Sequence, residues 1–201
     1  MLMTEASLEL TVWAGRLLVF SLLAVAAWTD WRERRIPNVI CVALLAAGLG
    51  WHAFIMDGDG LFASSLAGGL GVSASALGAL TSLASLFPLY LLRVIGAGDV
   101  KLATGIGAWV GWQGLLPWAL LVMIAGGVLA LVWMINKRRR NRVVFNLYSI
   151  AMQSFVEGPR AAIAGFDPQA AAADRLPYAW AILAGTAVFA LAHYQGGWGL
   201  L

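Results

Sequence analysis

The chain has 201 residues, 61% hydrophobic and only 11% charged, and its apolar residues fall in long blocks. About 20 mostly apolar residues carry a helix across the hydrocarbon core, so the blocks predict an all-α, polytopic membrane protein of about six transmembrane helices, one domain over 1–201 without a sizeable soluble part. The formal net charge of +3 comes without basic and aromatic residues interleaved on a polar face, which argues against nucleic acid as a partner. Cys41 is the single cysteine, which excludes an internal disulfide and a cysteine-ligated zinc site.

The first span is predicted from Leu10 to Trp28, with Arg16 close enough to its outer end to extend toward the headgroups. Asp30 follows, and Arg32, Arg34 and Arg35 mark that end as cytoplasmic, because cytoplasmic loops retain Lys and Arg. The run Leu17 to Val25 imitates a cleaved signal peptide, but Glu5 and Glu9 give its leading region the wrong charge. Pro37 and Asn38 organise the entry to a second span, Val39 to Met56, since proline is tolerated in a first turn and Asn caps nearby donors. Asp57-Gly58-Asp59-Gly60 then makes a turn without a basic residue, expected to face the periplasm or exterior. In the apolar stretch that follows, a third span is predicted over Ser75 to Leu92, and the part before it is read as interfacial or re-entrant.

Gly96-Ala97-Gly98-Asp99 comes next, and Asp99 and Lys101 open a fourth span running outward to about Trp112. A fifth runs inward from about Leu115 to Ile135, closed by Lys137, Arg138, Arg139, Arg140 and Arg142. Val144, Leu147, Ala151 and Phe155 recur at helical spacing opposite Asn146, Ser149 and Gln153, which predicts a cytoplasmic amphipathic segment within 143–175. Pro177 to Tyr194 makes the sixth span, leaving outward, so both termini are expected in the periplasm. Of the 13 Lys and Arg residues all but Arg16 fall on one side of this alternating arrangement. It brings Asp30 and Asp99, distant in sequence, to the same membrane face.

An ionisable group in or beside a bilayer is costly enough to mark function. Peptide hydrolysis by two carboxylates needs one ionised group to take a proton from water and one protonated group to polarise the carbonyl, and close like charges enforce that division. Gly96 and Gly98 allow a tight entry and a close approach to Asp99. By spacing alone, Asp99 fits better as a helix cap than as a catalytic group, and Asp30 fits a solvated loop charge beside Arg34.

Asp30-Trp31-Arg32-Glu33-Arg34-Arg35-Ile36-Pro37-Asn38 and Gly96-Ala97-Gly98-Asp99-Val100-Lys101-Leu102 together resemble the two signature regions of the type IV prepilin peptidases, a family of aspartic membrane proteases. Small size, a direct start at span one, and Leu176-Pro177-Tyr178 opening the last span resemble the compact branch serving tight-adherence (Flp) pilus systems. The resemblance implies that Asp30 and Asp99 are the catalytic aspartates of a bacterial inner-membrane endopeptidase. Its substrates would be prepilin and pseudopilin precursors, cut from their leaders at the cytoplasmic face, with the lipid bilayer and the pilus or secretion machinery as further partners. Gly96, Gly98, Pro37, Asn38 and Lys101 would support the site, Lys101 by tuning the pair or by anchoring to headgroups.

The paired-cysteine loop of larger, methylating relatives has no counterpart between Asp30 and Ile40, so methyltransferase activity is not predicted. A presenilin-like protease shares the glycine-aspartate motif but would have a tyrosine-aspartate partner, and a noncatalytic assembly subunit is the rival from another class. No cofactor or metal is expected. His52 and His193 read as interfacial or packing residues, the ten tryptophans as interfacial belts, and Gly126 and Gly127 as allowing close helix packing.

Overall fold

The computed structural model describes residues 5–55, 58–63, 68–92, 94–133, 135 and 177–194. They are built from five helices, α1 (Glu5–Glu33), α2 (Asn38–Phe54), α3 (Val72–Leu91), α4 (Ala97–Trp133) and α5 (Ala179–Tyr194), and no strand occurs among them. The apolar part of α1 from Leu8, together with α3 and α4, is long and apolar enough to cross a membrane, and α2 and α5 are shorter apolar helices. The architecture is that of an all-α membrane protein.

Residues 1–126 and 177–201 cluster as one compact unit and 127–176 as another, of which 127–133 and 135 are described. Asp57, Arg93, the basic run 137–142 and the expected amphipathic segment 143–175 lie outside the described residues.

Because lipid tails are as apolar as leucine, helices in a bilayer associate through close packing and hydrogen bonds. In the larger unit, Leu10, Leu17, Leu77, Leu80, Leu116 and Met123 point outward, while Leu23, Leu44, Leu102, Ile106, Trp109 and Ile182 fill the interior. The tightest approach joins α3 to the beginning of α4. A Cβ on Gly107 would meet the Gly78 carbonyl oxygen at 2.6 Å and Ser82 Cβ at 2.8 Å. Ser75 Oγ donates to Ala108 O at 2.7 Å beside this contact.

Gly111 interrupts α4 with φ 71 and ψ 174, a conformation that costs glycine little and L-residues much. It divides the helix into two arms, 97–110 and 112–133, of opposite course. Along the first, Gly98 meets Ile36, Gly105 meets Leu44 and Trp109 meets Gly48, so this arm runs parallel to α2. Along the second, Gly114 meets Phe189, Val122 meets Gly185 and Gly126 meets Tyr178 and Ala181, so it returns antiparallel to α5. The expected reversal between Trp112 and Leu115 is thus made at Gly111.

Several expectations change. α1 does not stop at Trp28 but runs through Asp30 to Glu33. Trp31, Arg32 and Glu33 are helix-compatible residues, and polarity ends a membrane crossing without ending a helix. Arg16 does not reach out to headgroups. Its Nε donates to Leu61 O and a terminal guanidinium nitrogen to Ala63 O, both at 3.0 Å, tying down the apolar 61–63 turn. Two of the tryptophans belong to the core instead of a belt: Trp109 is 1% exposed and donates to Leu44 O at 2.8 Å, and Trp118 donates to Thr186 Oγ1 at 2.9 Å. Gly127 faces open space, with nothing within 4 Å of where a Cβ would stand.

Candidate active site

The end of α1 and the beginning of α4 are brought together by the connection between α1 and α2. Arg34 closes α1 with φ 55, its N–H bonding to Asp30 O at 3.1 Å, a left-handed helix end that glycine fills more cheaply. The chain then places Ile36 against Gly98, where a Cβ would come within 3.3 Å of the isoleucine. Pro37 precedes the first residue of α2 with φ −60 and ψ 132, and Asn38 Oδ1 accepts from Lys101 Nζ at 2.9 Å. Lys101 is therefore tied to α2 as well as exposed, and Asn38 serves as its acceptor.

Asp99 sits in the first turn of α4, not in the cap position before it. The first helical bond runs from Val100 N–H to Gly96 O at 3.2 Å, so Gly96 occupies the cap. A Cβ on Gly96 would lie 3.1 Å from Asp99 Oδ2, so glycine at 96 leaves room for the carboxylate itself, and glycine at 98 leaves room for Ile36. Neither residue has a positive φ. Their use here is steric.

Asp30 is partly buried on the last turns of α1, and its Oδ2 accepts the Ala179 N–H at 3.3 Å. That donor is one of those a helix start leaves without an intrahelical acceptor. The adjoining Tyr178, in the turn before α5, has its phenol pushed up from the ordinary tyrosine value, first by burial and then by the negative charge of Asp99. Asp30 thus borders the 177–179 turn, and Asp99 lies within electrostatic reach of its Tyr178. The sequence offered one signal for it: a proline just ahead of the last apolar run, where a helix begins with free N–H groups.

The histidines are elsewhere. His52 is 2% exposed, its Nδ1 accepts from Leu70 N–H at 2.9 Å, and its Nε2 lies 3.3 Å from Trp109 O, which makes Nε2 the protonated nitrogen. His193 stacks on Phe189 with ring centroids 4.7 Å apart. Cys41 is a buried packing residue of α2 within electrostatic reach of Lys101 and Asp99. Among the described residues there is no cluster of three or more His, Cys, Asp or Glu that would hold a metal ion.

A sequence profile of the type IV leader peptidase family matches residues 17–131, more than half of the chain, and takes in both aspartates. The chain belongs to the type IV leader peptidase family. Relatives similar to it are prepilin leader peptidase/N-methyltransferases. That of Pectobacterium carotovorum is 29% identical over 59% of this chain and 41% of its own length. That of Burkholderia pseudomallei strain 1026b is 35% identical over 56% and 34%, and that of Xanthomonas campestris 26% identical over 62% and 42%. This leader peptidase family member therefore spans about two fifths or less of the length of these curated relatives. No solved structure matches it.

Proposed function

We propose that this chain is a membrane aspartic endopeptidase that removes the N-terminal leader of type IV prepilins or pseudopilins, with water activated between Asp30 and Asp99. The ionised carboxylate takes a proton from water as its oxygen adds to the scissile carbonyl, and the protonated one donates to that carbonyl oxygen. Collapse of the tetrahedral adduct breaks the C–N bond, and the leaving amine takes up a proton. The observation that supports the reading is that the α1–α2 connection, with Ile36 against Gly98, joins the end of α1 that carries Asp30 to the first turn of α4 that carries Asp99.

In this proposal α1, α2, α3, the two arms of α4 and α5 make six crossings of a bacterial inner membrane, within a single peptidase domain. The basic residues other than Arg16, together with Asp30 and Asp99, face the cytoplasm, the termini face the periplasm, and 143–175 lies along the cytoplasmic surface. The apolar helix of the precursor positions it beside the site, and pilus or secretion machinery receives the product. The methyltransferase activity named for the relatives is not carried over.

Purified Asp30→Asn and Asp99→Asn variants, given candidate precursors and followed by N-terminal sequencing of the product, test the pair. Each should lose at least about 100-fold in kcat while keeping its helical content. A folded variant that trims a precursor at the full rate sinks the dyad.

A further inference from the structure

α5 begins inside the protein. Pro177 and Ala179 are fully buried, and the residues directly before the helix, Leu176, Pro177 and Tyr178, include none of the side chains that usually cap a helix start. Pro177 O accepts from Trp180 N–H at 3.3 Å and Tyr178 O from Ile182 N–H at 3.1 Å, so the Ala179 N–H stands at the first helical position. A buried N–H needs an acceptor. This one finds it on α1, 149 residues away in sequence, in Asp30 Oδ2 at 3.3 Å.

We propose that Ala179 is a positioning residue of the aspartate pair: its main-chain N–H fixes one carboxylate oxygen of Asp30 and favours the ionised form, leaving the other oxygen for water. The inference rests on the peptidase reading for its consequence in catalysis, but the bond itself does not. A hydrogen bond donated to a carboxylate stabilises the charged form over the neutral acid, and a helix N-terminus adds its dipole. Burial pushes the Asp30 carboxyl up, and the Ala179 N–H and then the Arg34 charge offset part of that rise. The charged and titratable groups at this end of the bundle are Arg34 after α1, Cys41 on α2, Asp99 and Lys101 on α4, and Tyr178 before α5. If Asp30 served only to cap α5, an amide would accept the same bond, and neither titration nor rate would follow the N–H.

Two measurements on the full chain in micelles test this. Replacing Ala179 by its α-hydroxy analogue, lactic acid, exchanges the N–H for an ester oxygen without adding bulk. Ala179→Pro removes the same donor at a helix position that tolerates proline. With carboxyl-labelled aspartate, and Asp30→Asn to assign the resonance, the pH at which Asp30 titrates should rise by about half a unit or more in both. An unchanged midpoint in the folded ester overturns the bond whatever the activity. In the cleavage assay kcat should fall about tenfold with KM nearly unchanged. The pH–rate profile should move to higher pH, because the ionised carboxylate then forms only there. Wild-type kcat and pH profile in the folded ester overturn the positioning role. Full-rate cleavage by folded Asp30→Asn is a separate result, which removes the dyad and with it the catalytic consequence, while the titration still decides the bond.

Discussion

At the end of the bundle near His52, polar side chains are bound to main chain on both sides. His52 joins Leu70 to Trp109, and Arg16 holds two carbonyls of the 61–63 turn. At the other end, Asp30 takes a single long bond from Ala179, Lys101 spans an exposed gap to Asn38, and Arg34 bends the chain through a left-handed conformation. The first end spends its polar groups on architecture. The second carries the two aspartates of the proposed site, Asp30 half-buried on α1 and Asp99 in the first turn of α4.

The largest expected stability effect lies beside the His52 end, where α3 and α4 touch backbone to backbone. Gly107→Leu has no space to occupy and should destabilise the fold by about 3 kcal/mol, read as loss of the folded population in thermal unfolding in detergent. Were it tolerated, the architectural end would not depend on this packing. His52→Ala leaves a buried N–H and a carbonyl without their partner and should cost about 2–3 kcal/mol, with cleavage per folded molecule unchanged. A fall in kcat for the folded variant would break the contrast between an architectural and a reactive end. The smallest effect is expected for Asn38→Ala, whose exposed bond to Lys101 contributes less than about 1 kcal/mol. Its signature should be a modest change in KM, measured against an unchanged melting temperature.

Hydropathy made much of the fold legible, since lipid contact is recorded in composition: α2, α3 and α5 begin and end within a few residues of their predicted limits. The reversal inside the long apolar run was legible as well, because Gly111 stands where the predicted fourth and fifth spans meet. What hydropathy cannot record is the direction in which a polar atom finds its partner. Arg16, Trp109 and Trp118 were read as facing headgroups by residue type, yet each is turned inward by a main-chain or threonine acceptor supplied by a remote segment. Asp30 was legible as a charge at the edge of a span, but not as a helical residue, because α1 outlasts its apolar stretch. The bond of Asp30 to the 177–179 turn joins residues far apart in sequence, and only the folded bundle brings them together.

The fold-back at Gly111 also sets a length scale. At 1.5 Å per residue the first arm, 97–110, is about 21 Å long. α2, with 17 residues, and α5, with 16, reach about 26 and 24 Å. All three fall short of a hydrocarbon core about 30 Å thick. In the proposed six crossings, a bilayer meeting them would thin to match, and local thinning draws headgroups and their water inward. Asp99, at the foot of the shortest arm, would then lie within reach of the solvent on which the proposed hydrolysis depends.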